Sequence, residues 1–287
     1  MSSNDAPVEK DFQNGYHLDS SMDPETALKR IQTTGSLSIS PELFEKIYLS
    51  PQNRVAGDLR KTFGNPTPLA LAGFLLSLTP LSCDLMGWRG AGGNGAASTG
   101  VYFFFGGLLM ILGSLGEWVL GNTFPFVVFG TFGAFWLAYG ATLQPFYNSY
   151  GAYKDPMNPE STGLETPGFN ASFAFFLLFM ALLCFFYMIL ALRTNLIFFL
   201  IFFTLTPAFC FLAAAFWYQA ADYEGNAEYA KTLVLAAGAF TFVTDLLGWY
   251  IFFAILLASL DFPFQLPVVD LSRWVKGGSD KKPKHSE

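Results

Sequence analysis

Charge is what this sequence has least of. Only 13% of its 287 residues are Asp, Glu, Lys or Arg, where a soluble domain carries roughly 25%, and the shortfall points to lipid as the solvent. Histidine is nearly absent too: His17 and His285 both lie in polar terminal stretches. No Ser–His–Asp arrangement can be assembled from them, and no Gly-rich phosphate loop precedes a helix, so no catalytic residues and no enzyme are expected. Cys83, Cys184 and Cys210 stand singly inside apolar stretches. That spacing describes neither a disulfide framework nor a metal site, so no metal and no cofactor are expected and small apolar packing is the reading for all three. Residues 1–30 are polar throughout and lack the basic start and short apolar core of a signal peptide, so the first apolar helix is expected to serve as its own membrane signal.

Apolar and aromatic residues fill the space that charge leaves. They make up 52% and 18% of the chain, with 33 Phe. Nearly uncharged runs cover residues 68–88, 101–120, 123–143, 171–192, 195–218 and 232–260, each long enough to cross a bilayer core that needs about 20 apolar residues. The expected fold is all-α, a polytopic membrane protein with six transmembrane helices over residues 63–271. It is flanked by a disordered cytoplasmic tail, 1–62, and a C-terminal cytoplasmic tail, 272–287. Thirteen of the 16 Lys and Arg residues fall on the side of the two termini, leaving Arg89, Lys154 and Lys231 on the other. Because basic residues favour the cytoplasmic side, both termini are placed inside.

The tail is rich in Ser, Asp, Glu, Asn and Gln, too polar to fold alone, apart from a short amphipathic helix expected over residues 41–48 behind Ser40. Residues 90–100 read as a flexible external Gly, Ala and Ser connection. The turn at Asn122 is so short that its two helices must pack antiparallel. The longest loop, 144–169, faces outside, and Asn170-Ala171-Ser172, a glycosylation pattern, abuts the fourth helix closely enough to be unused. Gly130, Ala134, Ala138 and Thr142 form a small-residue stripe on the third helix. Gly106, Gly107, Gly113 and Gly116 do the same on the second, and both read as close helix packing.

Polar groups at membrane depth are costly and are usually functional or paired. Counting along the spans places Asp84 near the outer face, Glu117 near the inner face within reach of headgroups and water, and Asp245 near mid-membrane. All three are candidate protonatable groups. Asp245 reads either as a proton carrier in a solute path or as a carboxyl bonded to a neighbouring helix. The run Gly64-Asn65-Pro66-Thr67-Pro68 reads either as broken backbone at a watery mouth, where Asn65 offers its amide to a solute, or as a helix cap followed by proline.

Asn65-Pro66-Thr67-Pro68-Leu69-Ala70-Leu71-Ala72-Gly73-Phe74 resembles the first signature of the acetate uptake transporter family. That family includes bacterial succinate–acetate permeases and the yeast acetate and ammonia-outward proteins. Phe105-Gly106-Gly107, Glu117 with Gly121-Asn122-Thr123-Phe124, Thr131-Phe132-Gly133-Ala134-Phe135-Trp136, Phe169-Asn170-Ala171 and Leu266-Pro267-Val268 are similar to its other blocks, in order and at its spacing. Residues 42–61 look like the tail of fungal members. The resemblance implies a six-helix protomer with its own pore, assembled as a homo-hexamer in the lipid bilayer, carrying acetate or other small carboxylates with protons. It also implies a constriction at Phe74, Phe132 and Leu205 and a polar residue at the pore mouth, Asn65. Four positions depart from the family: Phe132 stands for Tyr, Met110 for Gln, Ala70 for Gly and Thr67 for Ala.

The function expected is plasma-membrane transport of a small monocarboxylate, acetate first and succinate as a further candidate, by proton symport through an apolar constriction. A neutral solute such as ammonia is the second reading, and a membrane sensor that transports little is the third. No nucleic-acid partner is expected.

Overall fold

The computed structural model describes residues 17–18, 38–39, 59–158, 160–272 and 274–275. The helix expected over 41–48, most of the 1–62 tail and residues 276–287 lie outside the described residues. His17–Leu18 and Ser38–Ile39 pair as two-residue parallel strands, and Leu59–Thr62 makes one helical turn. Helices joined by turns and irregular loops make up the rest of the described chain. We number the long helices α1 (Thr67–Leu85), α2 (residues 99–119), α3 (Thr123–Leu143), α4 (Pro167–Ala191), α5 (Leu196–Ala221) and α6 (Ala227–Ser259). All six are long and apolar enough to cross a membrane, and their alternation returns the chain to the side from which it set out.

Local chemistry sets the helix ends. Pro66 and Pro68 bracket the start of α1, where their missing N–H groups cost nothing. The backbone is helical from Pro66 onward. Thr166 Oγ1 accepts from Phe169 N at 3.4 Å and opens α4 four residues before the apolar run begins. Asn195 Oδ1 accepts from Phe198 N at 2.9 Å at the start of α5. Asn170 is buried within α4, where its amide donates to the Leu164 and Thr166 carbonyls.

Helices α4, α5 and α6 pack in sequence, α6 closes on α1, and α1 and α3 pack on α2. Glycines make the α2 contacts close. A Cβ on Gly106 would lie 2.4 Å from Trp136 Cγ, one on Gly113 2.6 Å from Ala70 Cβ, and one on Gly116 2.5 Å from Pro66 Cβ. The middle of α2, Tyr102–Leu109, is wound as a π-helix that contains Gly106 and Gly107. Of the α3 stripe, Gly130 approaches Ser114 of α2, whereas Ala134 and Ala138 are exposed. The expectation of helix packing therefore holds within the protomer only for part of that stripe.

The seam between α3 and the α4–α5 pair is built from rings. Phe132 lies 6.4 Å from Phe202, and Phe135 lies 5.4 Å from Phe209 and 6.0 Å from Phe176. Such large side chains hold these backbones apart, and the enclosed space of the molecule lies beside this seam.

The connection expected to be flexible over residues 90–100 instead folds inward with two short 3-10 turns, Trp88–Gly90 and Gly93–Ser98. Gly95 is buried at φ +72, and a Cβ there would meet the Tyr102 hydroxyl and Leu81. Glycine is required at this position for both reasons. The cysteines also differ from the reading of uniform packing: Cys184 is buried, Cys83 half-buried and Cys210 exposed.

Candidate functional site: two stacked cavities

Two cavities lie along α1, α3 and α5. The smaller, about 20 Å³, is lined by Leu71 and Phe74 of α1, Met110 of α2, Val128, Phe129 and Phe132 of α3, and Phe198, Ile201, Phe202 and Leu205 of α5. This is room for about one water molecule, and no side chain of its wall can hydrogen-bond. The larger, about 200 Å³, starts one helical turn further along α3, where Phe135 lines it. Its wall continues through Asn94, Tyr139, Tyr150, Phe173 and Phe216 to the end of the molecule that carries the 144–166 loop. Tyr139 donates its hydroxyl proton to the Asn94 carbonyl at 2.6 Å and so ties the inward-folded 93–98 turn to α3.

Phe74, Phe132 and Leu205 come from three helices far apart in sequence, and all three face the small cavity. Met110 shares that wall. Behind it stands Tyr187 of α4, buried, with its ring 5.4 Å from Phe202 and 6.5 Å from Phe132 and its hydroxyl 3.0 Å from Thr131 Oγ1. Sequence reasoning missed Tyr187, although it is the single Tyr of α4 and its hydroxyl stands in an otherwise apolar run.

Asn65 is half-buried at the start of α1, where its Oδ1 accepts from Thr67 N at 2.8 Å. The side chain thus bonds the first turn of α1 through its oxygen, as the cap reading has it, while its amide N–H₂ has no described acceptor.

Glu117 does not reach headgroups or water. It is 0% exposed, accepts from Thr67 Oγ1 on one carboxylate oxygen, and accepts from Asn122 Nδ2 at 2.6 Å on the other. One turn of helix continued past Glu117, closed by Asn122 N on the Glu117 carbonyl at 2.8 Å, folds the α2–α3 corner over the acid and buries it. The Thr67 hydroxyl is thus a donor to this buried carboxylate.

Asp84 is half-exposed at the far end of α1, with Oδ2 close to Gly95. Asp245 is 0% exposed and lines neither cavity. It faces α1, where Ser82 Oγ donates to its Oδ2 at 2.7 Å. The structure therefore brings Phe74, Phe132 and Leu205 together, places Glu117 and Asn65 near one another through Thr67, and leaves Asp84 and Asp245 apart from both groups.

Six apolar spans around an apolar cavity and a wider one define a polytopic membrane protein with internal space along α1, α3 and α5. Comparison with known proteins agrees. The sequence profile of the GPR1/FUN34/yaaH family matches residues 49–273, and the chain belongs to that family. It is 47% identical to Protein alcS of Aspergillus fumigatus over 87% of this chain and 91% of that one. It is 34% identical to the acetate transporter protein patA of Aspergillus clavatus, over 73% and 79%. Ammonia transport outward protein 2 of Saccharomyces cerevisiae is 28% identical over 72% of each chain. The solved structure of the bacterial acetate channel SatP superposes with a TM-score of 0.55 at 25% identity, covering 72% of this chain and 99% of that one.

Proposed function

We propose that the chain carries small monocarboxylates, acetate foremost, across the plasma membrane through a path inside each protomer, with a proton accompanying the acid. One observation carries the reading: Phe74, Phe132 and Leu205 converge on a single cavity of about 20 Å³ with a wholly apolar wall. A constriction of this kind gates by dewetting. An acid entering it sheds water, and loss of hydration is far costlier for a carboxylate than for the neutral acid, which is the physical reason for a proton to travel along. Asn65, with its free amide at the start of α1, is proposed as the polar contact at the mouth. Both termini are assigned to the cytoplasm.

The same wall supports a second reading, a neutral permeant such as ammonia, and one relative bears that function in its name. A sensor that transports neither is the third. Uptake of labelled acetate and of ammonia into vesicles holding the purified protein, with and without an inward proton gradient and against protein-free vesicles, separates the three. Acetate flux above the protein-free rate supports the first reading, ammonia flux alone the second and no flux the third.

A further inference from the structure

The α1–α6 seam holds a buried acid that neither cavity uses. Asp245 lies about 27 Å from one end of α6 and about 21 Å from the other, at 1.5 Å per residue, and is fully buried. Its Oδ2 accepts from Ser82 Oγ, while Oδ1 is buried without a hydrogen-bond partner. No basic side chain accompanies it: α5 carries no charged residue, and the charged residues of α6 itself, Glu228 and Lys231, are about four turns away. The other titratable groups nearby are Cys83 and Asp84 of α1. An isolated carboxylate at this depth is among the most expensive groups a membrane protein can hold.

Ser82 resolves the difficulty. Its hydroxyl has one proton and three acceptors in reach: Asp245 Oδ2 at 2.7 Å, the Leu78 carbonyl at 2.9 Å and Thr241 Oγ1 at 3.0 Å. Thr241 already donates to the Gly238 carbonyl at 2.9 Å. When Asp245 is ionised, Ser82 donates to it. When a proton sits on Oδ2, Asp245 donates to Ser82 Oγ, and Ser82 turns its own proton to Leu78 or Thr241. The bond between Oδ2 and Ser82 is kept in either state without moving a heavy atom. These oxygens already hydrogen-bond one another, so a proton is the ligand the set takes up without rearrangement.

We propose that Asp245, with Ser82 as its two-way partner, is a proton-binding site within the α1–α6 seam. The seam also holds the back of the constriction: a Cβ on Gly248, one turn beyond Asp245, would lie 3.3 Å from Phe74 Cε1 and 2.6 Å from Leu75 Cδ2. The site therefore lies one helical turn from the contact that backs Phe74, and its proton is the one assigned to coupling. That coupling rests on the reading that a proton accompanies the acid.

Infrared spectroscopy of the purified full-length protein tests the site without transport. At neutral pH the parent should show a protonated carboxyl C=O band that Asp245→Asn lacks. Ser82→Ala keeps the acid and should shift that band, which preserves the test if Asp245→Asn fails to fold. Identical carboxyl spectra for the parent and both variants would overturn the proposal. In vesicles corrected for protein-free leakage, a one-unit inward gradient contributes a factor of about ten per coupled proton. Asp245→Asn should lose that factor. If the parent lacks it as well, proton coupling fails as a reading of the function while the infrared result still decides the site; if the variant keeps it, Asp245 is not the coupling group.

Discussion

Phe132 is where a single atom decides most. The ring is buried in the wall of the small cavity and packs near Phe202 and Tyr187. A phenol there donates a hydrogen bond that a phenyl group cannot. Hydrogen bonds to charged groups contribute about 1.5–3 kcal/mol, so Phe132→Tyr should change acetate uptake per molecule by roughly ten-fold if the bond strengthens at the barrier. Membrane abundance should hold; equal uptake with lower abundance would take Phe132 off the path. Asn65 permits a finer separation. Asn65→Asp keeps the oxygen that caps Thr67 and removes the amide donor, whereas Asn65→Ala removes both. If the amide serves the solute, both variants should lose uptake while only Asn65→Ala loses stability, by about 1 kcal/mol. Uptake that tracks stability alone returns Asn65 to a cap. The residue chemistry of this site was partly legible in sequence: the family-like motifs pointed to Phe74, Phe132 and Leu205, which do share one wall. The burial of Glu117 was not legible, because its donors, Thr67 and Asn122, come from a different helix and from a turn, and depth along a span says nothing about which way a side chain is covered.

Glycine placement governs how the helices meet. Gly106 admits Trp136 and Ser77 at distances no Cβ tolerates, and over-packing a filled core costs about 1–3 kcal/mol. Gly106→Ala should lower the thermal stability of the detergent-solubilised protein, while Gly100→Ala, with open space around it, should leave it unchanged or raise it. Equal melting of the two variants would mean that the α2–α3 contact is looser than described. Thr67→Ala should weaken the α1–α2 joint by about 0.5–1.5 kcal/mol, the cost of removing one buried hydrogen bond, and Thr67→Ser should restore it. Helix number and extent were readable because lipid demands about 20 apolar residues per crossing, so the runs announce themselves. The starts of α4 and α6 were set several residues too late, since polar first turns with caps lie outside the apolar run. The inward fold of residues 93–98 was hidden for a related reason: a Gly and Ala stretch reads as a loop, and only the Tyr139 bond and the buried Gly95 make it a cavity wall.

For the molecule as a whole, α3 leaves Ala134 and Ala138 exposed, a small-residue face of the kind that lets helices from neighbouring protomers approach. We therefore expect the protein to assemble, with six protomers the proposed number, and Ala134→Trp to reduce the assembled mass seen by native mass spectrometry. An unchanged mass would leave that face to lipid. The proposed placement of both termini in the cytoplasm predicts that protease added outside intact cells spares terminal tags and cuts, if anywhere, near the exposed Lys154; cleavage of either tag would reverse the topology. Conduction through the protomer is the central claim, and Leu205 tests it most directly. Replacing it with Trp adds more side chain than a cavity of about 20 Å³ can absorb. Acetate uptake by Leu205→Trp vesicles, normalised to folded protein, should fall to the protein-free rate while the parent stays well above it; a variant that carries acetate as fast as the parent would place the path elsewhere.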